Sequence, residues 1–263
     1  MNESLRWDGA AGPLFVKVAP ADELPMFEAE AAGLEELRAA QAVRVPRVLA
    51  CGAASDSAYL ALEWLELGGP APSAAAEFGA QLARQHRHTA RAFGWHRDNT
   101  IGRTPQVNGW MENWVDFFRE RRLRFQLDLA GRRATGRLQR RGAELLERMP
   151  AFFVDHRPSA SLLHGDLWGG NWGVDSGGKP VAFDPAVYYG DREADIAMTR
   201  LFGGFEPAFH AAYRREWPLP PEAASRLSLY NLYHVLNHLN LFGGGYGPQA
   251  ESMIDALLAE LGH

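Results

Sequence analysis

The sequence predicts an α+β protein with two lobes, a small β-rich lobe followed by a larger and mainly helical one. Short apolar runs of strand length dominate the first part of the 263 residues, and longer runs with helical spacing dominate the remainder. Between them, the Gly- and Pro-rich segment 68–72 is the clearest break in the first half of the chain. We therefore predict lobes over residues 1–67 and 68–263.

The small lobe is predicted to contain a helix between strands. The apolar run 14–18 is a strand that Pro20 ends, because proline cannot donate to a β-ladder. Asp22 is a candidate cap for a helix that runs to about Gln41 with apolar side chains at helical spacing. Two more strands are expected around a turn, over residues 47–52 and 58–64.

The larger lobe is predicted to be helical, with one short hairpin set into it. Ser73 is expected to cap a helix that reaches about Ala90. Two short apolar stretches, 161–163 and 180–183, interrupt the helices, and each ends at an acidic motif. The other helices are expected at 111–130, 134–149, 191–202, 206–216, 221–240 and 249–261.

Composition excludes several classes of protein. A net charge of -5 argues against a general nucleic-acid binder, which would carry a basic patch. Cys51 is the only cysteine, so no intramolecular disulfide is possible and a reducing compartment is expected. No run approaches the ~18 apolar residues of a membrane span, and residues 1–8 lack the apolar run of a signal peptide. We expect a soluble, cytoplasmic protein.

The strongest chemical signal is the run His-Gly-Asp-Leu-Trp-Gly-Gly-Asn at 164–171, followed by Phe-Asp-Pro at 183–185. Phosphoryl transfer needs a carboxylate that orients the acceptor hydroxyl, oxygen ligands for Mg²⁺ and a cation for the phosphates. Asp166 and Asn171 lie five residues apart on one loop, so one can face the acceptor and the other a metal. Asp184, after the next short strand, can supply a second metal ligand. This spacing is that of the catalytic and metal loops of kinases.

Each of these residues also has an ordinary interpretation. Aspartate and asparagine in glycine-rich loops are mostly turn residues, and a single one carries little functional meaning. The joint pattern is much more specific than its parts. It favours a phosphotransfer site.

A second feature supports a phosphate site. Glu30 falls within the apolar stripe of its predicted helix, and a carboxylate facing a core is costly unless it is paired. Lys17, in the middle of the preceding apolar strand, is the obvious partner, and kinases hold their phosphate-binding lysine with a helix glutamate in this way. The alternative is that Lys17 points to solvent from an edge strand while Glu30 lies on a polar flank. The catalytic loop favours the ion pair.

The end of the small lobe is where a hinge between lobes would run. Glu63 and Leu65 lie there, just before the glycine- and proline-rich break. Backbone N–H and C=O groups of these residues are candidates for reading the edge of an adenine. We also expect a ligand cleft between the lobes.

Several aromatic and histidine side chains are candidates for acceptor binding. Trp168 and Trp172 flank the catalytic loop, and we expect Trp168 to contact a sugar face and Trp172 to pack in the core. His234 and His238 have an i, i+4 spacing that can bind zinc, but they lack the glutamate of a metalloprotease helix. Two hydrogen-bonded helix histidines are expected instead, with His238 lining the acceptor pocket.

Other charged residues have structural interpretations. Asp191 is a candidate helix cap, and Asp195 is expected to support the catalytic loop by bonding its backbone. The arginine clusters at 121–124 and 132–133 are predicted to be solvated helix faces, with an anionic partner as the alternative.

The motif resembles that of a known family. The run 162–171, Leu-Leu-His-Gly-Asp-Leu-Trp-Gly-Gly-Asn, is similar to the catalytic motif of the fructosamine (ketosamine) 3-kinases, in the aminoglycoside phosphotransferase and choline kinase branch of protein-kinase-like folds. Trp168 and the Phe-Gly-Gly-Phe stretch at 202–205 separate this family from generic aminoglycoside kinases. The resemblance runs from about residue 14 to the C-terminal helix, with further matching stretches at 15–18, 26–30, 104–108, 114–118, 183–186, 198–205 and 233–238.

The resemblance implies a two-lobed protein-kinase-like fold, in which 1–67 is the nucleotide-binding lobe ending in the hinge and 68–263 carries the catalytic loop, metal loop and acceptor site. It implies that Asp166 is the catalytic base and that Asn171 and Asp184 hold Mg²⁺. Lys17 with Glu30 would position the phosphates of ATP.

The resemblance also implies a substrate class. The family phosphorylates the 3-hydroxyl of ketosamines, the adducts of sugars with amines, and the phosphorylated adduct releases the amine. A small ketosamine or a glycated amine or protein is the expected partner, with a deglycation repair role and no nucleic-acid or membrane partner. Two alternatives stay open: a kinase of the same fold for an aminoglycoside, choline or a sugar, and a non-catalytic binding module. Intact Asp166, Asn171, Asp184, Lys17 and Glu30 weigh against the binding module.

The beginning of the chain departs from the family pattern. Relatives place a helix, a strand and a Gly-rich turn before the lysine strand, whereas only sixteen residues precede Lys17. Gly12, five residues from Lys17, suits a hairpin turn back to a strand at 4–7 rather than a loop over the phosphates. We therefore predict that the phosphate-covering loop and its first strand are absent, that the sheet has an exposed edge and that the nucleotide site is more open. A start codon assigned too late or a naturally shortened, weak kinase would each explain the pattern.

Overall fold

A computed structural model describes residues 3–10, 12–68 and 72–262. The chain forms two compact units, and each is built from several separate stretches of sequence. The first unit comprises residues 1–88, 164–187 and 202–218, and the second comprises 89–163, 188–201 and 219–263. The predicted division into a nucleotide-binding lobe and an acceptor lobe at 67/68 is a functional one and stays a prediction; residues 69–71 of the predicted break lie outside the described residues.

A four-stranded antiparallel sheet lies in the first unit. Its strands are β1 (Glu3–Gly9), β2 (Gly12–Pro20), β3 (Val48–Ala54) and β4 (Ser57–Glu63), in the order β1-β2-β4-β3. Strand β2 is therefore central, and Lys17 lies opposite Ser4 on one side and Leu60 on the other. The predicted strands are confirmed, although Pro20 is the last residue of β2 rather than its stop.

The predicted hairpin before the lysine strand is confirmed. Strands β1 and β2 pair along their whole length, and Gly9 lies opposite Gly12. Gly12 has a φ of 117°, a conformation that side chains other than glycine's rarely allow. Among the described residues β1 is the edge of the sheet, with Trp7 60% exposed. The absence of a phosphate-covering loop stays a prediction.

Helix α1 (Leu24–Ala39) follows β2, but Asp22 does not cap it. Residues Ala21–Glu23 form a 3₁₀ turn, and neither this turn nor α1 has a side-chain cap. Pro25 stands in the first turn of α1, where a missing N–H costs nothing. The apolar face is confirmed, since Phe27, Leu34 and Leu37 are buried.

A second sheet and two helices complete the first unit. Strands β5 (Leu67–Gly68), β10 (Trp172–Asp175) and β11 (Pro180–Ala182) pair in the order β11-β10-β5. Helices α2 (Pro72–Gln85) and α7 (Pro207–Glu216) pack closely on one another. Ser73 lies inside the first turn of α2 rather than at its cap, and α2 ends earlier than predicted.

The two apolar stretches at 161–163 and 180–183 do not form a hairpin with each other. Strand β11 pairs with β10, a strand that the apolar pattern missed because it has Trp, Gly, Val and Asp in sequence. The other stretch is β9 (Ala160–Leu163), which belongs to the second unit. There it lies between β6 (Thr89–Ala90) and β12 (Tyr188–Gly190).

The second unit is mainly helical. Besides the β12-β9-β6 sheet it contains one small hairpin of β7 (Asn99–Ile101) and β8 (Thr104–Gln106). No helix among the described residues combines the length and the apolar character that crossing a membrane requires. The helices are α3 (Trp114–Phe118), α4 (Phe125–Ala130), α5 (Gly136–Arg148), α6 (Glu193–Leu201), α8 (Ala223–Phe242) and α9 (Tyr246–Glu260).

The arginine-rich segment between α3 and α4 is not a simple solvated face. Residues Arg119–Arg124 form a π-helical turn, and Arg122 is completely buried. Its guanidinium lies 4.2 Å from the centre of the Tyr188 ring and donates to Val107 O at 2.8 Å and to the Asn108 side-chain oxygen at 2.7 Å. Such a turn rotates the following residues relative to an α-helix, which a count of 3.6 residues per turn does not anticipate. The prediction of a solvated face is wrong for Arg122, and the side chain of Arg132 in the other cluster lies outside the described residues.

The packing of α2 on α7 gives a stability prediction. A Cβ on Gly79 would lie 2.2 Å from the backbone oxygen of Phe209, so Gly79→Ala must push the helices apart. We expect a loss of about 1–3 kcal/mol in the free energy of unfolding, the usual cost of overpacking, measured by urea denaturation. Gly136→Ala at the start of α5 is the control, because a Cβ there meets only the flexible end of the exposed Arg140 side chain at 3.4 Å and should change the free energy of unfolding by less than about 0.5 kcal/mol. Equal effects of the two substitutions would contradict this account.

Candidate active site

The catalytic loop, residues 164–171, follows β9, and the metal loop, residues 183–186, follows β11. Backbone hydrogen bonds hold the two loops together. The Ala186 N–H donates to His164 O at 2.8 Å, and the Phe183 N–H donates to Asn171 O at 3.0 Å. The sequence predicted both loops, and the structure brings them side by side.

His164 is a second link between the loops. Its Nε2 lies 3.0 Å from the carbonyl oxygen of Phe183, which can only accept, so Nε2 carries the proton. Its Nδ1 is then an acceptor and lies 3.3 Å from the Asp166 N–H. The imidazole of His164 is buried and orients the backbone of Asp166.

The backbone at residue 165 explains why glycine, and not the arginine of the protein-kinase motif, lies between His164 and Asp166. Gly165 has a φ of 82°, in the region that favours glycine. A Cβ on Gly165 would also lie 2.0 Å from the oxygen of Ala186. Any side chain here would therefore separate the catalytic loop from the metal loop.

Asn171 connects the two acidic residues of the site. Its amide nitrogen donates to Asp166 O at 2.9 Å and to Asp166 Oδ2 at 3.2 Å, and it lies 3.4 Å from Asp184 O. Because the nitrogen is used in this way, the side-chain oxygen of Asn171 is the atom able to bind a cation. Asp166 keeps a half-buried carboxylate on the same loop.

Asp184 has an unusual backbone. Its φ of 55° lies in the left-handed region, which is uncommon for a residue other than glycine and concentrates at functional sites. Its side chain is 49% exposed, and one carboxylate oxygen accepts a hydrogen bond from Lys17 Nζ at 2.7 Å. The strained backbone thus aims a carboxylate out of the metal loop toward the lysine strand.

The predicted ion pair between Lys17 and Glu30 is confirmed. Lys17 Nζ lies 2.6 Å from Glu30 Oε1, and Lys17 is only 7% exposed. Burial alone would lower the pKa of Lys17, but the Glu30 and Asp184 carboxylates outweigh it and raise that pKa above its usual value. Lys17 is therefore a permanently charged ammonium held between two carboxylates of different exposure.

The donor atoms of this site fit Mg²⁺. The Asn171 oxygen and the Asp184 carboxylate are hard oxygen ligands, which Mg²⁺ prefers over nitrogen or sulfur. A different acidic group, His156, Asp191 and Glu193, also comes close enough to hold an ion. Both carboxylates of that group already have partners, because Asp191 Oδ2 lies 2.6 Å from His156 Nε2 and Glu193 pairs with buried Arg226 at 2.8 Å.

Asp191 caps α6, as predicted. Its Oδ1 accepts from the Glu193 N–H at 3.0 Å, and Tyr230 donates to its Oδ2 at 2.6 Å. Burial opposes ionisation, but His156 and Tyr230 hold the pKa of Asp191 below its usual value. Asp195 is buried on the same helix; its support of the catalytic loop stays a prediction.

The two tryptophans of the catalytic loop have different surroundings. Trp172 is buried, stacks on Phe78 with ring centres 5.2 Å apart and on Phe205 at 5.5 Å, and donates to Gly204 O at 3.2 Å. Its predicted packing role is confirmed. Trp168 is 40% exposed, as an acceptor contact requires, and that role stays a prediction.

His234 and His238 lie on α8, in the second unit. His238 Nδ1 bonds to the oxygen of His234 at 2.8 Å, as expected, and its ring packs on Phe242 and Tyr246. His234 is different: it is buried, and its Nδ1 has no hydrogen-bond partner, so the prediction of two satisfied histidines is wrong for it. The role of His238 in the acceptor pocket stays a prediction.

The side chain of Glu63 has a structural use. Its carboxylate lies 3.2 Å from the Arg44 guanidinium and 3.2 Å from the Arg47 N–H. Its own N–H donates to Arg47 O at 2.9 Å. The reading of adenine by backbone groups of Glu63 and Leu65 stays a prediction.

Sequence reasoning assigned no role to several residues that shape the site. His164, Gly165 and Gly204 hold backbone segments together, as described above for His164 and Gly165. The signal available was the unusual density of glycine, at 169–170 and 203–204 as well as 165. Which of these glycines touch one another depends on the tertiary structure.

The unpartnered His234 gives a pH prediction. Burial, with help from His238 and Arg122 against Asp195, lowers the pKa of His234 from 6.5 to about 3. The folded state therefore keeps His234 neutral while the unfolded state takes up a proton below pH 6.5, so stability falls as the pH drops through that range. At pH 5 the loss from this one group is about 2 kcal/mol relative to pH 7.5.

The measurement is the free energy of urea unfolding at pH 7.5 and pH 5.0 for the parent and His234→Phe. The parent should lose more between the two pH values than the variant does, whatever their stabilities at pH 7.5. Equal losses of unfolding free energy in the parent and in His234→Phe would show that the folded state does not keep His234 neutral.

The family relationship follows from comparison with known proteins. The model of the fructosamine kinase family matches residues 1–260. A probable ketoamine kinase of Synechocystis is 48% identical over 93% of this chain and 82% of its own length. A chloroplastic protein-ribulosamine 3-kinase of Arabidopsis thaliana is 39% identical over 99% of this chain and 81% of its own length.

Solved structures agree on the fold. A Haemophilus somnus protein assigned as a fructosamine-3-kinase superposes with a TM-score of 0.91 at 29% identity, covering 98% of this chain and 88% of that one. The aminoglycoside phosphotransferase APH(4)-Ia gives a TM-score of 0.67 at 16% identity, covering 99% and 94%, which shows the fold alone. The predicted protein-kinase-like α+β fold is confirmed. This chain belongs to the fructosamine kinase family.

Proposed function

We propose that the chain transfers the γ-phosphoryl group of ATP to the 3-hydroxyl of a ketosamine. The observation that carries the proposal is the set of contacts that joins Lys17, Asp184, Asn171 and Asp166 in one unit. These are the parts that phosphoryl transfer requires. The names of relatives, ketoamine kinase, ribulosamine 3-kinase and fructosamine-3-kinase, support the acceptor class and the position of the hydroxyl.

Asp166 is proposed as the base. Its carboxylate accepts the proton of the acceptor hydroxyl while the new bond forms between that oxygen and the γ-phosphorus. The bond between the γ-phosphorus and its bridging oxygen breaks, and ADP leaves. The Asn171 amide and the His164 ring fix the carboxylate and backbone of Asp166, so little reorganisation is needed during transfer.

Lys17 is proposed to position the phosphates of ATP. The ammonium is pre-charged and already oriented by Glu30, which stays buried beside it. The exposed carboxylate of Asp184 is the partner that can turn from Lys17 toward a metal. Mg²⁺, held by the Asn171 oxygen and Asp184, would neutralise phosphate charge that no protein cation covers.

The proposed product suggests a repair role. A ketosamine phosphorylated on its 3-hydroxyl breaks down and returns the free amine, so the reaction would reverse glycation. The deglycation role is consistent with the names of the relatives. Small ketosamines and glycated proteins are both proposed acceptors.

The direct test is ATP consumption with four acceptors side by side: ribulose-lysine, fructose-lysine, kanamycin and choline. We expect Mg²⁺-dependent ADP release with one or both ketosamines and none above background with kanamycin or choline. Activity confined to kanamycin or choline would move the chain to another acceptor class. No activity with any acceptor, together with ATP binding, would favour a binding module.

The role of Asp166 gives a kinetic prediction. Asp166→Asn keeps the shape and the hydrogen bonds of the loop but removes the base, so kcat should fall by roughly 10²–10⁴-fold while ATP still binds. Turnover within a few-fold of the parent would exclude Asp166 as the base.

Asp184→Asn is the matched control for the metal. It should weaken Mg²⁺-dependent ATP binding, measured by calorimetry over a range of Mg²⁺ concentrations, whereas Asp166→Asn should not. Equal metal dependence in both variants would contradict the separate roles of the two aspartates.

A further inference from the structure

Trp168 has an unusual support. A Cβ built on Gly170 would lie 2.3–2.7 Å from three carbon atoms of the Trp168 six-membered ring. The indole therefore lies directly against the bare backbone of Gly170. Any residue with a side chain at 170 would displace it.

The neighbouring Gly169 is pressed against another part of the chain. A Cβ on Gly169 would lie 2.7 Å from the Cα of Gly204, and a Cβ on Gly204 would lie 2.5 Å from the Cα of Gly169. Such distances are well inside the ~3.5–4.0 Å of ordinary carbon contacts. The two backbones touch only because both residues lack side chains. We call Gly169, Gly170 and Gly204 the glycine seat.

The segment that carries Gly204 is held by contacts with the buried side chains of Trp172 and Phe209. Gly204 O accepts a hydrogen bond from Trp172, and the next residue, Phe205, stacks on Trp172 and lies 4.7 Å from the ring of Phe209 on α7. Aromatic contacts of this kind add about 0.5–1.5 kcal/mol each beyond the burial of their apolar surface. Gly204 and Phe205 are therefore held against the catalytic loop.

We infer that Gly204, held in place with Phe205, sets acceptor specificity, because through the glycine seat it positions Trp168 near Asp166. The inference rests on the proposed function and adds to it the element that decides where the sugar face lies. Trp168 is two residues from the proposed base and is 40% exposed, so its indole is available for stacking on the apolar face of a sugar ring. Gly204 and Phe205 are positioning residues in this scheme, since they act through Trp168.

The glycines at 203 and 204 provide a matched pair of variants. Both have a left-handed backbone, with φ of 74° and 88°, so alanine strains both. A Cβ on Gly203 has nothing within 4 Å, whereas a Cβ on Gly204 collides with Gly169. The difference in kinetic constants between Gly204→Ala and Gly203→Ala therefore measures the effect of the collision with Gly169 separately from that of backbone strain. Gly169→Ala tests the same contact from the other side, at a position whose backbone is not left-handed.

The kinetic test measures the KM for ribulose-lysine and for ATP in these three variants. Relieving the collision moves the loops by about 1 Å, and such a shift can cost ~10²-fold, so the ketosamine KM should rise roughly tenfold or more in Gly204→Ala and Gly169→Ala. The KM for ATP should stay within about twofold of the parent, and Gly203→Ala should resemble the parent in both constants. The inference would be overturned if Gly204→Ala and Gly203→Ala had the same KM for ribulose-lysine. A rise in the KM for ATP alone would overturn it as well.

A second measurement needs no activity. The contribution of Trp168 to acrylamide quenching of fluorescence is the difference between each variant and the same variant carrying Trp168→Phe. Gly204→Ala should make Trp168 more accessible, and Gly203→Ala should not. If the parent phosphorylates no ketosamine, the proposed function fails, and the quenching difference still decides whether the glycine seat holds Trp168; unchanged quenching in Gly204→Ala would show that it does not.

Discussion

The candidate active site depends on the burial of one ammonium group. Lys17 is in the central strand of a four-stranded sheet and is almost fully covered, so its charge must be balanced where it stands. Glu30 from α1 supplies one carboxylate and Asp184 from the metal loop the other. The sheet, the helix and the loop are thereby fixed to a common point. Of the two carboxylates, only that of Asp184 is exposed, and the proposal that it turns toward a metal beside the nucleotide rests on this difference.

A second constraint is the close approach of backbones without side chains. The catalytic loop touches the metal loop at Gly165 and touches the 202–205 segment at Gly169. Backbone contacts of this kind leave little room for adjustment, since no flexible side chain separates the two chains. They place the Asp166 carboxylate with respect to Asp184 on one side and Trp168 on the other. Glycine therefore gives this loop precision, although glycine is often associated with flexibility.

The second unit uses buried polar groups in a different way. Arg122, Asp191 and Glu193 are buried with partners, and His234 is buried with an unpartnered ring nitrogen. Paired buried charges contribute little net stability but penalise alternative arrangements, because breaking a pair leaves a charge uncompensated. In Arg122 the positive group lies between aromatic rings and backbone oxygens, and it ties the segment at 107–108 to the π-helical turn. Because the folded state keeps His234 neutral, the free energy of unfolding depends on pH.

The sequence by itself determined the fold class, the loop motif that resembles the fructosamine kinase family and the Lys17–Glu30 pair. Local patterns suffice for these features: strand and helix periods, the spacing of Asp166, Asn171 and Asp184, and the cost of a carboxylate in an apolar stripe. It missed β10, the burial of Arg122 and the unpartnered Nδ1 of His234, because strand pairing and burial depend on segments distant along the chain. Only the tertiary structure decided which glycines meet, that Asp184 shares Lys17 with Glu30, and that the strands at 161–163 and 180–183 belong to different sheets. Those facts are distances between residues far apart in sequence, and they follow from packing, on which local propensity carries no information.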